Sequence, residues 1–339
     1  MKSLKVLCTA ALVSSLIGCS STAATSTSSS SKDESLKKVT LMLDYTPNTN
    51  HTGFYVALNK GYYKDQGLDV EIIEPGDNAT TSMVAVNKAN FGVSYQEDVT
   101  YALTSEDPLP IKTIATIIQH NTSGFVALES SGIKSVKDFE GKTYAGWGAP
   151  SEEAVIKACM EKEGADFSKL TIVGADGSGI AGLSDKTGAD KVNISWEFYG
   201  WAVTKAIMDG YKVNYMPLAD IDERLDYYTP VIITNNEMIE NDPETVQKFM
   251  AATKKGYEYA IDNPDESAEI LHDEALQDTD LDFLKESQKY LSEQYAKDAE
   301  SWGVMKDSVW DNYTDFMYES GLIDQKIGAS DQYTNEFVK

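Results

Sequence analysis

Lys38-Val39-Thr40-Leu41-Met42-Leu43 and Asp69-Val70-Glu71-Ile72-Ile73-Glu74 flank a longer run, residues 51–60, whose apolar positions recur at helical intervals. The flanking runs are short, apolar and partly β-branched, which suits strands. The middle run ends at Gly61, a residue suited to a left-handed helix cap. A strand, a helix and a strand in close succession make a βα unit, and the pattern continues outward. Pro75-Gly76-Asp77-Asn78 reads as a turn, 81–88 as a helix capped by the polar residues before it, 91–94 as a strand, 97–104 as a helix and 112–118 as a strand. A second series carries strands at 125–129, 142–146, 170–173 and 191–195, with helices at 151–164 and 200–210. Val231-Ile232-Ile233-Thr234 returns as a strand, and 243–322 is mostly helical, with Gly256, Pro264 and Gly303 as breaks. The alternation predicts an α/β fold with largely parallel sheets. Its two βα lobes are 38–122 plus 230–339, and 123–229, joined by crossovers near 119–125 and 227–233. A cleft between lobes is a preferred place for a small ligand.

The composition limits what such a cleft can serve. The 339 residues hold 54 Asp+Glu against 29 Lys+Arg, a formal charge of −25, and 42% are hydrophobic. A field of that sign repels phosphate backbones and anionic lipid headgroups, which excludes nucleic-acid binding. At the N-terminus Lys2 and Lys5 precede an apolar run, 6–17, too short to span a bilayer but shaped like a signal peptide, here residues 1–18. The run ends in Leu16-Ile17-Gly18-Cys19, which resembles a bacterial lipobox, so Cys19 is the expected lipidation site. Residues 19–37 then read as a Ser/Thr-rich tether. The expected location is extracytoplasmic, at the membrane through the lipid alone. With Cys8 removed and Cys19 lipidated, Cys159 has no disulfide partner.

Asp44-Tyr45-Thr46-Pro47-Asn48-Thr49-Asn50-His51-Thr52-Gly53-Phe54-Tyr55-Val56-Ala57, followed by Lys60-Gly61-Tyr62-Tyr63-Lys64-Asp65-Gln66-Gly67-Leu68, resembles the opening of the NMT1/THI5-like substrate-binding proteins. The resemblance runs from about residue 38 to about 322. Together with Ser94-Tyr95-Gln96-Glu97 it points to the branch carrying thiamin pyrimidine precursors. It implies a type II periplasmic-binding-protein fold, a monomeric receptor without cofactor or catalysis, and delivery of formylaminopyrimidine or hydroxymethylpyrimidine to an ABC permease. It also implies site residues: Asn50 and His51 on the opening loop, Tyr95, Gln96 and Glu97 after a strand, and Trp196, Glu197 and Tyr199 at a second-lobe strand tip.

The chemistry of those positions agrees. Ser195-Trp196-Glu197-Phe198-Tyr199-Gly200-Trp201 sets a carboxylate among aromatic rings, the two group types that a flat aminopyrimidine needs. Stacking is worth about 1–3 kcal/mol, and a charge-assisted bond from an amine about as much again. Trp196 and Tyr199 are the expected stacking rings, and Phe198 and Trp201 the expected core. Trp147, before a helix capped by Ser151, is a candidate second wall, with spare backbone N–H groups facing the cleft. Glu97 and Glu197 are expected in one pocket. Gly177-Ser178-Gly179-Ile180-Ala181-Gly182 fits a dinucleotide fingerprint but does not open a domain's first βα unit. His51, His120 and His272 lack metal-ligand spacing, and His120 and His272 read as polar surface residues. Relatives of this fold carry sulfonates, nitrate or riboflavin-like compounds, and a related fungal pyrimidine synthase is the enzyme alternative. That synthase pairs a lysine and a histidine where Ser94 and Asp98 stand here. A structural surface lipoprotein remains the third reading.

Overall fold

The computed structural model describes residues 36–76, 79–188 and 190–339. The expected signal peptide, Cys19 and the expected tether up to residue 35, together with Asp77 and Asn78 of the first turn, lie outside the described residues. In chain order, β1 (Lys37–Met42), α1 (Thr52–Asn59), α2 (Tyr62–Asp65), β2 (Leu68–Ile73), α3 (Thr80–Ala85), β3 (Phe91–Ser94), α4 (Gln96–Thr104) and β4 (Ile111–Thr116) form the first series. The second holds β5 (Ser123–Leu128), β6 (Thr143–Gly146), α5 (Pro150–Lys162), β7 (Thr171–Gly174), β8 (Ser195–Phe198), α6 (Thr204–Met208), β9 (Val213–Pro217) and α7 (Leu218–Ile221). β10 (Val231–Asn235) precedes α8 (Asn236–Asn241), α9 (Pro243–Asp262), α10 (Pro264–Ala275), α11 (Leu281–Gln294), α12 (Asp307–Glu319) and α13 (Ala329–Gln332). Pro243 and Pro264 open their helices, where a fixed φ and a missing N–H cost nothing. No described helix is long and apolar enough to cross a membrane.

The first sheet runs β2-β1-β3-β10-β4. β1 pairs in parallel with β2 and β3, but β10 enters antiparallel between β3 and β4 with every residue buried. A second sheet, β8-β5-β9, is antiparallel throughout, β6 and β7 pair in parallel, and a single Tyr144–Ile194 bridge reaches toward β8. The largely parallel expectation therefore fails at β10 and in the β5 sheet. The expected strand 191–195 is displaced: the ladder with β5 begins at Ser195, opposite Val126, and ends at Phe198, opposite Ser123. β9, absent from the sequence reading, supplies the other neighbour of β5. In place of a helix over 200–210, a π turn at Tyr199–Val203 leads into the short α6.

Gly256 is not a break. It lies inside α9, and a β-carbon there would overlap the carbonyl oxygen of Gly53 on α1. A β-carbon on Gly53 would in turn overlap the ring of Tyr257. The two glycines let α1 and α9 approach over the first sheet, where Phe54, Phe91, Phe249, Tyr257 and Trp302 fill the core. Tyr257 stacks on Trp302 with centroids 4.4 Å apart, so the ring cannot step aside. α12 straddles two cores: Trp310 packs with Val231 and Ile233 of β10, while Tyr313, Phe316 and Met317 pack with Phe125 and Ile194.

Glycine-to-alanine exchange ordinarily favours a helix, but here overpacking dominates. Gly256→Ala is expected to lower stability by roughly 1–3 kcal/mol. Gly174→Ala, where a β-carbon meets nothing within 4 Å, serves as the control. Thermal denaturation of the two variants makes the comparison, and equal melting temperatures would contradict the close-approach argument.

Candidate functional site

Asp44 ends the extended segment after β1 and is the hub of the opening loop. His51 Nε2 meets Asp44 Oδ1 at 2.7 Å, and the Tyr95 hydroxyl donates to Asp44 Oδ2 at 2.5 Å. The Asn48 N–H points at His51 Nδ1 at 3.2 Å, so both ring nitrogens are engaged. Burial works to raise the Asp44 carboxyl, but the field and hydrogen bond of His51 and the Tyr95 hydroxyl outweigh it and hold the group below the usual carboxylate range. His51 is fully buried with both nitrogens engaged, so it shapes the loop and has no free edge for a ligand, contrary to expectation. Asn50 is half-buried; its backbone carbonyl accepts from Tyr257 at 2.7 Å, and its N–H donates to Asn48 Oδ1.

β3 delivers Tyr95, Gln96 and Glu97 to the start of α4. Gln96 is also spent on structure: its Nε2 donates to the Val309 carbonyl at 3.2 Å and its Oε1 accepts from the Tyr228 N–H at 2.9 Å. Glu97 is half-buried and accepts from the Tyr313 hydroxyl at 2.9 Å. Asp98 opens to solvent yet lies among neighbours that push its carboxyl up to about 6, through desolvation first and then the like charges of Glu97 and Asp44. Tyr101, Tyr227 and Tyr313 complete a carboxylate–phenol cluster, with Tyr227 and Tyr313 stacked 4.0 Å apart. Asp44, Asp98, Tyr227 and Tyr313 were not among the expected site residues. The bare Asp-Tyr and Glu-Asp dipeptides give no sign of them, because the cluster joins the loop after β1, the start of α4, the second crossover and the distant α12.

The second-lobe residues divide into two groups. Trp196 joins Phe125 at 5.7 Å and touches Trp147 at 5.2 Å, and Trp147 is 61% exposed. Neighbours along a strand face opposite ways, so Glu197 lies near Gly179, with its carboxyl raised by burial. Tyr199 packs on Tyr215 and on Tyr290 of α11, away from the tryptophan pair. Trp196 and Tyr199 therefore do not form one stacking pair. Phe198 is 43% exposed and is not strand-end core, whereas Trp201 is partly buried on Phe283 of α11 in a small cluster with Ala268 and Leu284. Ser151 does not cap α5: Ala149 precedes the helix, Pro150 begins it, and the N–H groups of Trp147 and Gly148 turn to the buried Glu152 carboxylate. Likewise Thr80 donates to the Leu43 carbonyl at 2.9 Å and does not cap α3. Gly179–Gly182 is a short 3-10 turn, with no helix N-terminus to cradle a pyrophosphate. Two surface grooves, of about 410 and 220 Å³, flank Pro150 and Glu153 and include none of the expected site residues.

The fold and the polar cleft residues together have the architecture of a type II periplasmic binding protein. The *Escherichia coli* periplasmic aliphatic sulphonate binding protein superposes with a TM-score of 0.66 at 12% identity, covering 87% of this chain and 91% of that one. The family described as NMT1/THI5 like matches residues 48–267, and the chain belongs to it. A formylaminopyrimidine-binding protein of *Halalkalibacterium halodurans* is 28% identical over 99% of both chains. A riboflavin-binding protein of *Chloroflexus aurantiacus* is 27% identical over 89% of this chain and 86% of its own. A 4-amino-5-hydroxymethyl-2-methylpyrimidine phosphate synthase of *Legionella pneumophila* is 26% identical over 89% and 92%.

His120 is no simple surface residue: its Nδ1 meets Asp226 at 2.7 Å across the two crossovers, and its Nε2 lies 3.5 Å from Asp298. The Asp226 bond raises its pKa, against burial and Lys297. A raised folded value means stability that is present below the unfolded histidine pKa, about 6.5, and lost as pH rises through the folded value. Melting curves of wild type and His120→Gln should differ most below the unfolded histidine pKa and draw together as pH rises through the raised folded value. A gap that widens with pH would contradict this coupling.

Proposed function

We propose that this protein captures a thiamin pyrimidine precursor outside the cell and passes it to an ABC permease, without catalysing a reaction. The observation that carries the reading is the carboxylate–phenol cluster of Asp44, Tyr95, Glu97, Asp98 and Tyr313, which offers acceptors to an amine and, among the described residues, is bonded to no arginine or lysine that would hold an anion. The only arginine, Arg224, is bonded to Asp222 and Glu319. Two like charges about 4 Å apart at an effective dielectric near 20 repel by roughly 4 kcal/mol, so a sulfonate or nitrate beside Glu97 is strongly disfavoured. A neutral aminopyrimidine gains from the same carboxylates and from the exposed ring of Trp147. The full-length likeness to a formylaminopyrimidine-binding protein supports the same choice. Ser94 and Asp98, in place of a lysine–histidine pair, support a receptor over a synthase.

In this reading residues 38–122 plus 230–339 and residues 123–229 are the two closing lobes of a monomer. Asn50, Tyr95, Glu97, Trp147 and Trp196 are the proposed ligand-facing residues, with Glu197 on the other face of β8 and Tyr199 just beyond its end, and Cys19 carries the lipid that keeps the protein at the membrane.

Thermal-shift and calorimetric screens of the purified protein should give micromolar or tighter binding of formylaminopyrimidine or hydroxymethylpyrimidine. Taurine, alkanesulfonates and nitrate should give no response. Riboflavin as the preferred ligand would move the protein to the flavin carriers, and a sulfonate response with silent pyrimidines would refute the charge argument. In bacteria fed radiolabelled palmitate, wild type should take up label and Cys19→Ala should not; an unlabelled, wholly soluble wild type would sink the anchoring proposal.

A further inference from the structure

α12 reaches the site through α4. Gln96 holds the carbonyl of Val309, the Tyr313 hydroxyl donates to Glu97 Oε2 at 2.9 Å, and Gln332 links Thr100 to Thr314 through bonds of 2.7 and 3.0 Å. Tyr313 is fully buried. Its ring lies on Tyr227 at 4.0 Å and an interplanar angle of 22°, within the core that also holds Phe125 and Ile194. The hydroxyl therefore cannot swing aside without unstacking the pair. Among the described residues it is the one hydrogen-bond donor to the Glu97 carboxylate.

We propose that Tyr313 is the positioning residue for Glu97, its hydroxyl occupying one carboxylate oxygen so that the other is presented to an N–H donor of the bound amino-heterocycle. The inference rests on the ligand reading above. The choice of donor matters. An ammonium at this place would cancel the charge of Glu97, whereas a phenol fixes the carboxylate and leaves its charge for the ligand. Burial first, then Tyr227 and Glu97, hold the phenol well above its ordinary pKa, so the proton stays on the donor. The stack on Tyr227, which sits in the second crossover, ties the orientation of Glu97 to the segment that links the two sheets.

Calorimetric titration of the full chain with hydroxymethylpyrimidine and formylaminopyrimidine tests this on four proteins: wild type, Tyr313→Phe, Glu97→Gln and the double variant. Tyr313→Phe keeps the ring stack, so its melting temperature should stay near that of wild type while affinity falls about tenfold. The double variant should lose no more than Glu97→Gln alone, because Tyr313 acts through Glu97. In the ligand-free protein the carbon-13 signal of the Glu97 carboxyl should move in Tyr313→Phe. A wild type silent to both pyrimidines overturns the ligand reading itself. A wild type that binds, with Tyr313→Phe binding equally well, with losses that add in full, or with an unmoved Glu97 signal, overturns the role of Tyr313 alone.

Discussion

The insertion of β10 between β3 and β4 is the constraint from which the rest of the structure follows. Because β10 pairs with both, the first sheet is incomplete until the chain has left after β4, built the second sheet and come back. The outgoing and returning crossovers must then lie side by side. Ile117 donates to the Pro230 carbonyl at 3.0 Å, and Asp226 receives both the His120 ring and the Asn121 N–H. The same insertion sets Tyr228 against Gln96, bonded in both directions, so the start of α4 is fixed to the returning strand. The carboxylates of the cleft stand where they do because a strand arrives late.

Gathering Asp44, Glu97 and Asp98 beyond the ends of β1 and β3 carries a cost, visible in the raised pKa of Asp98, which desolvation sets first and the two like charges increase. Neutral donors offset it in part: the Tyr95 hydroxyl for Asp44 and the Tyr313 hydroxyl for Glu97. Such donors satisfy carboxylate oxygens without cancelling their charge. The carboxylates of Asp44 and Glu97 therefore keep hydrogen-bond partners while the cluster keeps its negative field, the combination on which the proposed ligand reading relies.

How far the sequence could be read depended on how local each feature is. β1 to β4 follow from alternation of short apolar runs, and Gly61 and Pro264 stand where local rules put them. Strand direction is not local: nothing in Val231–Asn235 says that it runs against β3 and β4. β9 was hidden because Val213–Pro217 mixes polar and apolar residues and ends in proline. Gly256 misled for the opposite reason, since its lack of a side chain serves a neighbouring helix and not its own backbone. In the candidate site, Tyr95 was expected through the family resemblance and Trp196 also through the aromatic–carboxylate run around it. Their partners were not, because Asp44, Tyr227 and Tyr313 come from three separate parts of the chain. His51 and Gln96 look like ligand contacts in one dimension and prove to be joints in three.

The five tryptophans are distributed unevenly, and that gives the molecule an optical property. Trp302 and Trp310 are sealed in the core, where their surroundings hardly change. Trp147, by contrast, stands mostly in water and touches Trp196 at the edge of the cleft. An exposed indole emits at longer wavelength than a buried one and responds to whatever covers it. Intrinsic emission thus divides into a steady background from Trp302 and Trp310 and a solvent-sensitive component from the Trp147–Trp196 pair, so the unlabelled protein reports on whatever covers Trp147.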